Sequence, residues 1–327
     1  MKIFRGCKHP GLASACALTI GNFDGVHRGH QAMLSLLKGE AQQRGVPSCV
    51  LTFEPHPRDY FASVTQNPAR APARVGTLRD KLCDLAACGV DQTVVLPFTA
   101  RLADLAPLDF IERVLLQGLG ATYVLVGDDF RFGARRAGDY AMLDEAGVTH
   151  GFDVARMNSY EVHNLRVSSS AVRAALTEGR MKDAARLMGH PYRISGHVVH
   201  GRKLGRSLGF KTINQRFAHW KPAASGIFAV LVYGLSPQPL PGVANLGVRP
   251  SLDPCDVNGG RVLLETHCLD WPAHLGAEGA YGKIVRVELL HKLHDERKYD
   301  SLDALTAGIR QDCLDARAYF DTYPLSL

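Results

Sequence analysis

Two histidines three residues apart, His27 and His30, sit in the run GNFDGVHRGH (residues 21–30), with Asn22, Asp24 and three glycines around them. An apolar stretch, ACALTI, precedes the run and a helical pattern follows it. At a strand-to-helix junction, backbone N–H groups of the first helical turn lack partners and carry partial positive charge, so they attract phosphate. Imidazoles spaced by three flank that same spot, and Gly25 and Gly29 let the backbone approach an oxygen closely. The chemistry this favours is the binding of an anionic group. A lone H-x-x-H also reads as surface or capping histidines, and no third ligand stands at a usable spacing for a metal.

Other stretches invite the same question. EPHPR contains Pro55, His56, Pro57 and Arg58, and is either a rigid proline-fixed loop or a site. SSSAVR, with Ser168, Ser169 and Arg173, reads equally as simple N-capping. GRKLGRSLGFKTINQ repeats glycine every four residues at Gly201, Gly205 and Gly209, with Lys203 among its basic residues. It is not a Walker A loop, because three residues rather than four separate Gly201 from Gly205 and Arg206 stands where lysine belongs. Glu265, in LLETH, is by itself a solvent-facing strand residue.

The elements that must position these residues fall into two textures. Up to about residue 187, short apolar runs (ACALTIG, SCVLTF, QTVVLPF, YVLVG) alternate with helical patterns, as βαβ units and a parallel sheet require. Within this half TLRDKLCDLAACG carries Thr77 as N-cap, Asp80 three residues later and Gly89 as the stop. PLDFIERVLLQGLG reads as a helix, and SSSAVRAALTEG and MKDAARLMG as two short helices with serine caps and glycine stops. Beyond GHPYRISG the apolar runs are short, spaced by Gly, Pro and Asn, and not separated by helices. That texture predicts an antiparallel barrel or sandwich. A last helix, capped by Ser301, places Leu302, Leu305, Ile309, Leu314 and Phe320 at helical spacing. The expected fold is therefore an α/β parallel-sheet domain over residues 1–187 and an antiparallel β-barrel domain with a terminal helix over 188–327.

Composition narrows the function classes. With 327 residues, 46% hydrophobic and 21% charged, the chain is ordinary globular protein long enough for two cores. A net charge of +6 favours anionic ligands. No Lys/Arg block or interleaved aromatic run marks a nucleic-acid surface. The eight cysteines form no C-x-x-C pair and read as buried, reduced thiols of a cytoplasmic protein. No signal-peptide h-region and no run of membrane-spanning length is expected.

TIGNFDGVHRGHQ resembles the H-x-G-H signature of nucleotidylyltransferases, and its extended form resembles bacterial FAD synthetases. TFEPHPRDYF (52–61), VLVGDDFRFG (124–133) and VSSSAVRAAL (167–176) look like that family's next motifs, in order. In the second half, GRKLGRSLGFKTINQ, GVANLGVRP (242–250), LLETHCLDW (263–271) and DERKYDSLDAL (295–305) resemble the riboflavin kinase domain. Together they cover nearly the whole chain in the order of the bacterial bifunctional riboflavin kinase/FAD synthetase family.

The resemblance implies that His27 and His30 hold ATP phosphates, with Asn22, Asp24 and Gly29 close by and Ser168, Ser169 and Arg173 steadying the triphosphate. Asp129 and Phe130 would line the nucleotide side, and Pro55, His56, Pro57 and Arg58 the flavin side. In the kinase half it implies Gly201, Lys203, Gly205 and Gly209 for nucleotide, Asn245 and Arg249 for flavin, Thr212 and Asn214 for Mg²⁺, and Glu265 as base. Three residues depart from the pattern: Lys211 for proline, Ile213 for alanine and His294 for arginine. None is a presumed ligand or base.

The expected activity is phosphorylation of riboflavin to FMN, then adenylyl transfer from ATP to FMN giving FAD and pyrophosphate, with ATP and Mg²⁺ at both sites. FMN needs no base, since its phosphate is ionised at neutral pH; the ribityl hydroxyl of riboflavin does need one. The alternatives are a monofunctional FMN adenylyltransferase with a silent barrel, a nucleotidylyltransferase for another phosphorylated substrate, and a basic nucleic-acid-binding protein. Expected partners are small molecules, with no nucleic acid and no membrane. Weak self-association is left open.

Overall fold

A near-continuous apolar strand must be covered on both faces, and Cys16–Ile20 is buried throughout. A computed structural model of the chain describes residues 1–158, 160–162, 165–201, 209–217, 219, 221–248, 262–276 and 278–324. By packing, the chain forms two compact units: Met1–Pro72 with Lys81–Ser168, and Ala73–Asp80 with Ser169–Leu327. The 187/188 division follows the change in texture. The packing division instead follows the helices of 169–188, whose Val172, Leu176, Met181 and Met188 share a core with barrel residues Tyr192 and Ile194.

The first unit is built on β1 (Lys2–Arg5), β2 (Cys16–Ile20), β3 (Ser48–Glu54), β4 (Gln92–Pro97), β5 (Ala121–Gly127) and β6 (Asp153–Met157). All neighbours pair in parallel, in the order β1-β4-β3-β2-β5-β6. The sequence order reverses beside β2, whose neighbours are β3 and β5. Ligands of open α/β sheets bind at the carboxyl ends of strands at such a switch point. The helices are α1 (Arg28–Arg44), α2 (Pro57–Val64), α3 (Leu78–Ala87), the short α4 (Ala100–Ala103) and α5 (Pro107–Phe110), and α6 (Tyr140–His150). The expected helix over 107–120 starts as α5 but continues as a π-helical turn over Ile111–Leu116. A small hairpin, β7 (Glu161–Val162) and β8 (Leu165–Arg166), closes the unit.

The Thr77–Asp80 capping box forms as read. Asp80 N–H donates to Thr77 Oγ1 at 3.1 Å, and Thr77 Oγ1 and N–H donate to Asp80 Oδ2 at 2.7 and 3.3 Å. Gly89 ends the helix at φ +75°. Asp80 Oδ1 also accepts from the Ser195 N–H at 3.0 Å. Ala73–Asp80 pairs further with the second unit through Arg74, whose N–H donates to the Lys221 carbonyl and whose carbonyl accepts from the Ala223 N–H, both at 2.9 Å.

The second unit opens with α7 (Ser169–Thr177) and α8 (Met181–Met188). Glycine stops follow both, Gly179 and Gly189. The serine-cap expectation fails for α8, whose N-cap is Arg180 with no side-chain cap bond. The strands β9 (Tyr192–Val199), β10 (Thr212–Arg216), β11 (Gly226–Tyr233), β12 (Leu240–Val248), β13 (Val262–Cys268) and β14 (Ile284–His294) then close an antiparallel barrel in the order β10-β13-β12-β11-β14-β9. Ile213, Phe228, Val230, Leu264 and Val287 fill it. Ile213 is thus a barrel-core side chain, which accounts for a larger residue than alanine there.

The terminal helix α9 (Leu302–Thr322) is capped by Ser301, whose Oγ accepts from the Ala304 N–H at 3.1 Å. Its buried face differs from the one expected. Leu302 and Leu314 are exposed, while Ala316, Cys313, Tyr319 and Phe320 pack on Ala229 and Val243 of the barrel. The seven described cysteines are all free. No helix among the described residues is long and apolar enough to cross a membrane.

Two candidate active sites

The turn after β2 brings Asn22 to His30 to the switch point. His27 is the N-cap of α1, and its Nδ1 accepts the His30 N–H at 3.3 Å. With Nδ1 an acceptor, a neutral His27 ring carries its proton on Nε2. The two imidazoles stack with centroids 3.7 Å apart, and Phe23 lies 4.8 Å from His30. Gly29 gives the His27 ring room, since a Cβ there would stand 3.3 Å from it, a tight contact. Phe23 holds φ +49° while almost fully buried, a strained backbone of the kind found where a turn is built for a ligand. Asp24 is buried beside it, and the first turn of α1 carries no acidic residue.

A cavity of about 640 Å³ opens in this unit, lined by Asn22, His30, Pro57, Arg58, Asp129 and Phe130 of the residues singled out above. Asn22 Oδ1 and His30 Nδ1 are buried without a hydrogen-bond partner among the described residues. They mark a place built for a polar ligand. Asp24, His27, Gly29, Pro55 and His56 do not line the cavity. His27 reaches it through His30, and the buried His56 caps α2 by accepting the Arg58 N–H on Nδ1 at 3.1 Å. Residues that sequence reasoning passed over complete the walls: Phe53, Phe61 and Phe98 form an edge-to-face cluster, with Phe53 and Phe61 each 5.8 Å from Phe98. The apolar spacing of TFEPHPRDYF held a clue to Phe53 and Phe61. Nothing local pointed to Phe98.

Burial, then the nearby His27 and Lys81, hold the His30 pKa well below 6.5. His30 is therefore neutral at physiological pH. In the unfolded chain it titrates near 6.5, so below that pH the unfolded state binds the extra proton and gains stability over the fold. The expected outcome is a protein that loses stability as pH falls through 6.5, with His30→Asn losing less. Urea midpoints at pH 7.5, 6.5 and 5.5 measure it; equal pH slopes for parent and variant would refute it.

Ser168 ends the first unit, whereas Ser169 and Arg173 lie on α7 in the second. Arg173 Nε donates to the Ala73 carbonyl at 2.8 Å.

The barrel assembles the second set by strand register. Glu265 on β13 stands opposite Asn214 on β10 and opposite Asn245 on β12. The same row continues through Ile227 on β11 to His294 on β14. Directly opposed residues share a face. Their neighbours Ile213, Ala244, Leu246 and Leu264 fill the barrel, so the row lies on its outer face. Asn214 Oδ1 and Asn245 Oδ1, on either side of Glu265, are buried and have no hydrogen-bond partner among the described residues. Thr212 lies on the Asn214 face, opposite His267, whose Nδ1 is 2.8 Å from the Lys211 carbonyl.

Gly201 abuts Asn214: a Cβ there would stand 2.5 Å from Asn214 Nδ2. Gly209 has φ +86°, a turn conformation suited to glycine. Lys203, Gly205 and Arg249 lie outside the described residues. His294 Nε2 sits 2.7 Å from Asp312 Oδ1 on α9, so this departure from arginine ties β14 to the terminal helix. No group of three or more His, Cys, Asp or Glu able to hold a metal occurs among the described residues.

Residues 10–171 match the family model described as FAD synthetase, and residues 188–320 the one described as riboflavin kinase. The chain is 44% identical over 322 residues to the bifunctional riboflavin kinase/FMN adenylyltransferase of Escherichia coli K12, covering 98% of each protein. It is 43% identical over 303 residues to the protein of that name from Pseudomonas fluorescens, covering 93% of this chain and 92% of the relative. The Haemophilus influenzae protein is 40% identical over 323 residues. A crystal structure described as a macrolide-efflux protein from Streptococcus pneumoniae shares the fold, with a TM-score of 0.73 at 24% identity and coverage of 97% and 99%.

Proposed function

The chain belongs to the bifunctional riboflavin kinase/FMN adenylyltransferase family, and from that premise we propose which of its residues carry each reaction. It is a transferase with two activities: it phosphorylates riboflavin to FMN and adenylylates FMN to FAD. We assign adenylyl transfer to the 1–187 half and the kinase to the 188–327 half.

For adenylyl transfer, an oxygen of the FMN phosphate attacks the ATP α-phosphorus as the bond to pyrophosphate breaks. The nucleophile is already ionised, so the protein's task is to offset charge. His27 Nε2–H, the His30 ring and the first N–H groups of α1 are suited to ATP phosphates, and Asn22 and Asp24 frame them. Ser168, Ser169 and Arg173 serve the triphosphate. Asp129 and Phe130 take the nucleotide side, while Pro55, His56, Pro57 and Arg58, with the Phe53–Phe61–Phe98 wall, take the flavin ring.

For the kinase, one observation supports the reading most: the Asn214–Glu265–Asn245 row with its two unpaired amide oxygens. Glu265 takes the ribityl hydroxyl proton as that oxygen attacks the ATP γ-phosphorus and ADP leaves. Asn245 and Arg249 would orient the flavin, and Gly201, Lys203, Gly205 and Gly209 the nucleotide. The oxygen donors at hand fit a hard cation: Thr212 and Asn214 would hold Mg²⁺, which keeps most of its ligands from phosphate and water and supplies charge neutralisation. Reduced cysteines support a cytoplasmic location. The test is purified protein with riboflavin and Mg·ATP, with FMN and FAD resolved by chromatography. Both products are expected. FAD from supplied FMN with no conversion of riboflavin would mean a silent barrel.

A further inference from the structure

The cavity of the first unit has a feature that the adenylyl-transfer reading does not use. Between Phe132 and Gly138 the chain makes a closed loop, with reciprocal backbone bonds of 3.1 and 2.9 Å at its neck. Phe132 anchors the neck, packed between Phe110 and Phe130 at 5.7 and 5.4 Å. Gly138 lies against the Phe132 ring so closely that a Cβ would come within 2.7 Å. The Ala134 N–H pins the tip to the Leu105 carbonyl at 2.8 Å. This closed loop holds two consecutive non-glycine residues in the left-handed region, Arg135 at φ +54° and Arg136 at φ +58°. Such a backbone is disfavoured for any residue with a Cβ, and non-glycine residues kept there cluster at ligand clamps.

Both side chains are exposed and both line the cavity. Neither guanidinium has a hydrogen-bond or ion-pair partner among the described residues. Arg131, also in the lining, is already paired with Asp139 at 2.9 Å. The loop therefore holds two unpaired cations in the left-handed region at the wall of a cavity that is also lined by Phe53, Phe61, Phe98 and His30.

Resting on the reading of this cavity as the adenylyl-transfer site, we propose that Arg135 and Arg136 are the recognition element for the phosphate monoester of FMN. The reaction brings two anions together. The histidine pair and the start of α1 serve the first, and the second needs its own cations. Guanidinium forks match the oxygens of a phosphate dianion and offset the repulsion between attacking phosphate and ATP. They also distinguish FMN from riboflavin, which offers a neutral hydroxyl at the same place.

The test is steady-state FAD formation with FMN and ATP varied in turn, in the parent and in R135Q/R136Q. The FMN KM should rise by at least about tenfold, the loss expected when charged hydrogen bonds are removed. The ATP KM should stay within about twofold, and FMN production from riboflavin should not change. A second variant, R135G/R136G, removes the strain together with the guanidiniums. It should melt no lower than the parent yet show the same rise in FMN KM, a combination that a merely structural role cannot give. An unchanged FMN KM, or an equal rise for ATP, overturns the assignment, and a fall in melting temperature with R135G/R136G does so too. A parent that makes no FAD from FMN overturns the reading of the cavity itself, and the arginine assignment with it.

Discussion

Glu265→Gln is expected to slow FMN production from riboflavin by about 10²–10⁴-fold while FAD production from supplied FMN continues at the parental rate. Glutamine keeps the size and hydrogen-bonding reach of glutamate but cannot accept the hydroxyl proton. Glu265 sits mid-strand on β13, held in register with Asn214 and Asn245, so the substitution leaves the barrel's packing untouched. The contrast between the two products is what gives the experiment its force. A folding defect would depress both, and loss of the base depresses one. If the variant phosphorylates riboflavin at the parental rate, Glu265 is an outward-facing strand residue and no more.

The second large effect is expected at the opposite activity. Replacing both His27 and His30 with alanine should cut FAD formation from FMN by roughly a hundred- to a thousandfold, about 2.7–4 kcal/mol of lost charge stabilisation, and spare FMN formation. His27 also caps α1, and a lost cap alone costs about 0.5–2 kcal/mol of stability. His27→Ser separates the two roles, because serine can cap the helix without offering an imidazole. It should fold as the parent does and still lose most of the adenylyl-transfer rate. A double alanine variant that is folded and fully active in making FAD would sink the assignment.

Local chemistry was the legible part of this chain. The Thr77–Asp80 box, the Ser301 cap, the glycine stops at Gly89 and Gly189 and the strand–turn–helix around His27 each depend on residues within a few positions of one another, and each appears in the fold. What needed the third dimension was hidden. Strand β1 is a short edge strand with little apolar signal, and β10 is masked by the glycines and basic residues that precede it. The alignment of Asn214, Glu265 and Asn245 is a property of strand pairing, which no single strand encodes. The aromatic wall draws Phe53, Phe61 and Phe98 from separate elements. On α9, large leucines looked like the buried face. The barrel wall instead meets Ala316, Cys313, Tyr319 and Phe320, a face that can be told from the leucines only once the helix is seated on Ala229 and Val243.

The segment Ala73–Asp80 has a consequence for the order in which the molecule can be made. It leaves the ribosome early, yet Val75 is buried among residues such as Phe228 and Val230, and Arg74 pairs with Lys221 and Ala223. At synthesis rates of about 5–20 residues per second, those partners arrive roughly 10–30 s later. Until then the segment cannot take up its native pairing, while the parallel sheet has only to wait for β6. Vectorial synthesis therefore cannot finish the chain one half at a time. The barrel closes last, and it closes on a piece of polypeptide made long before it.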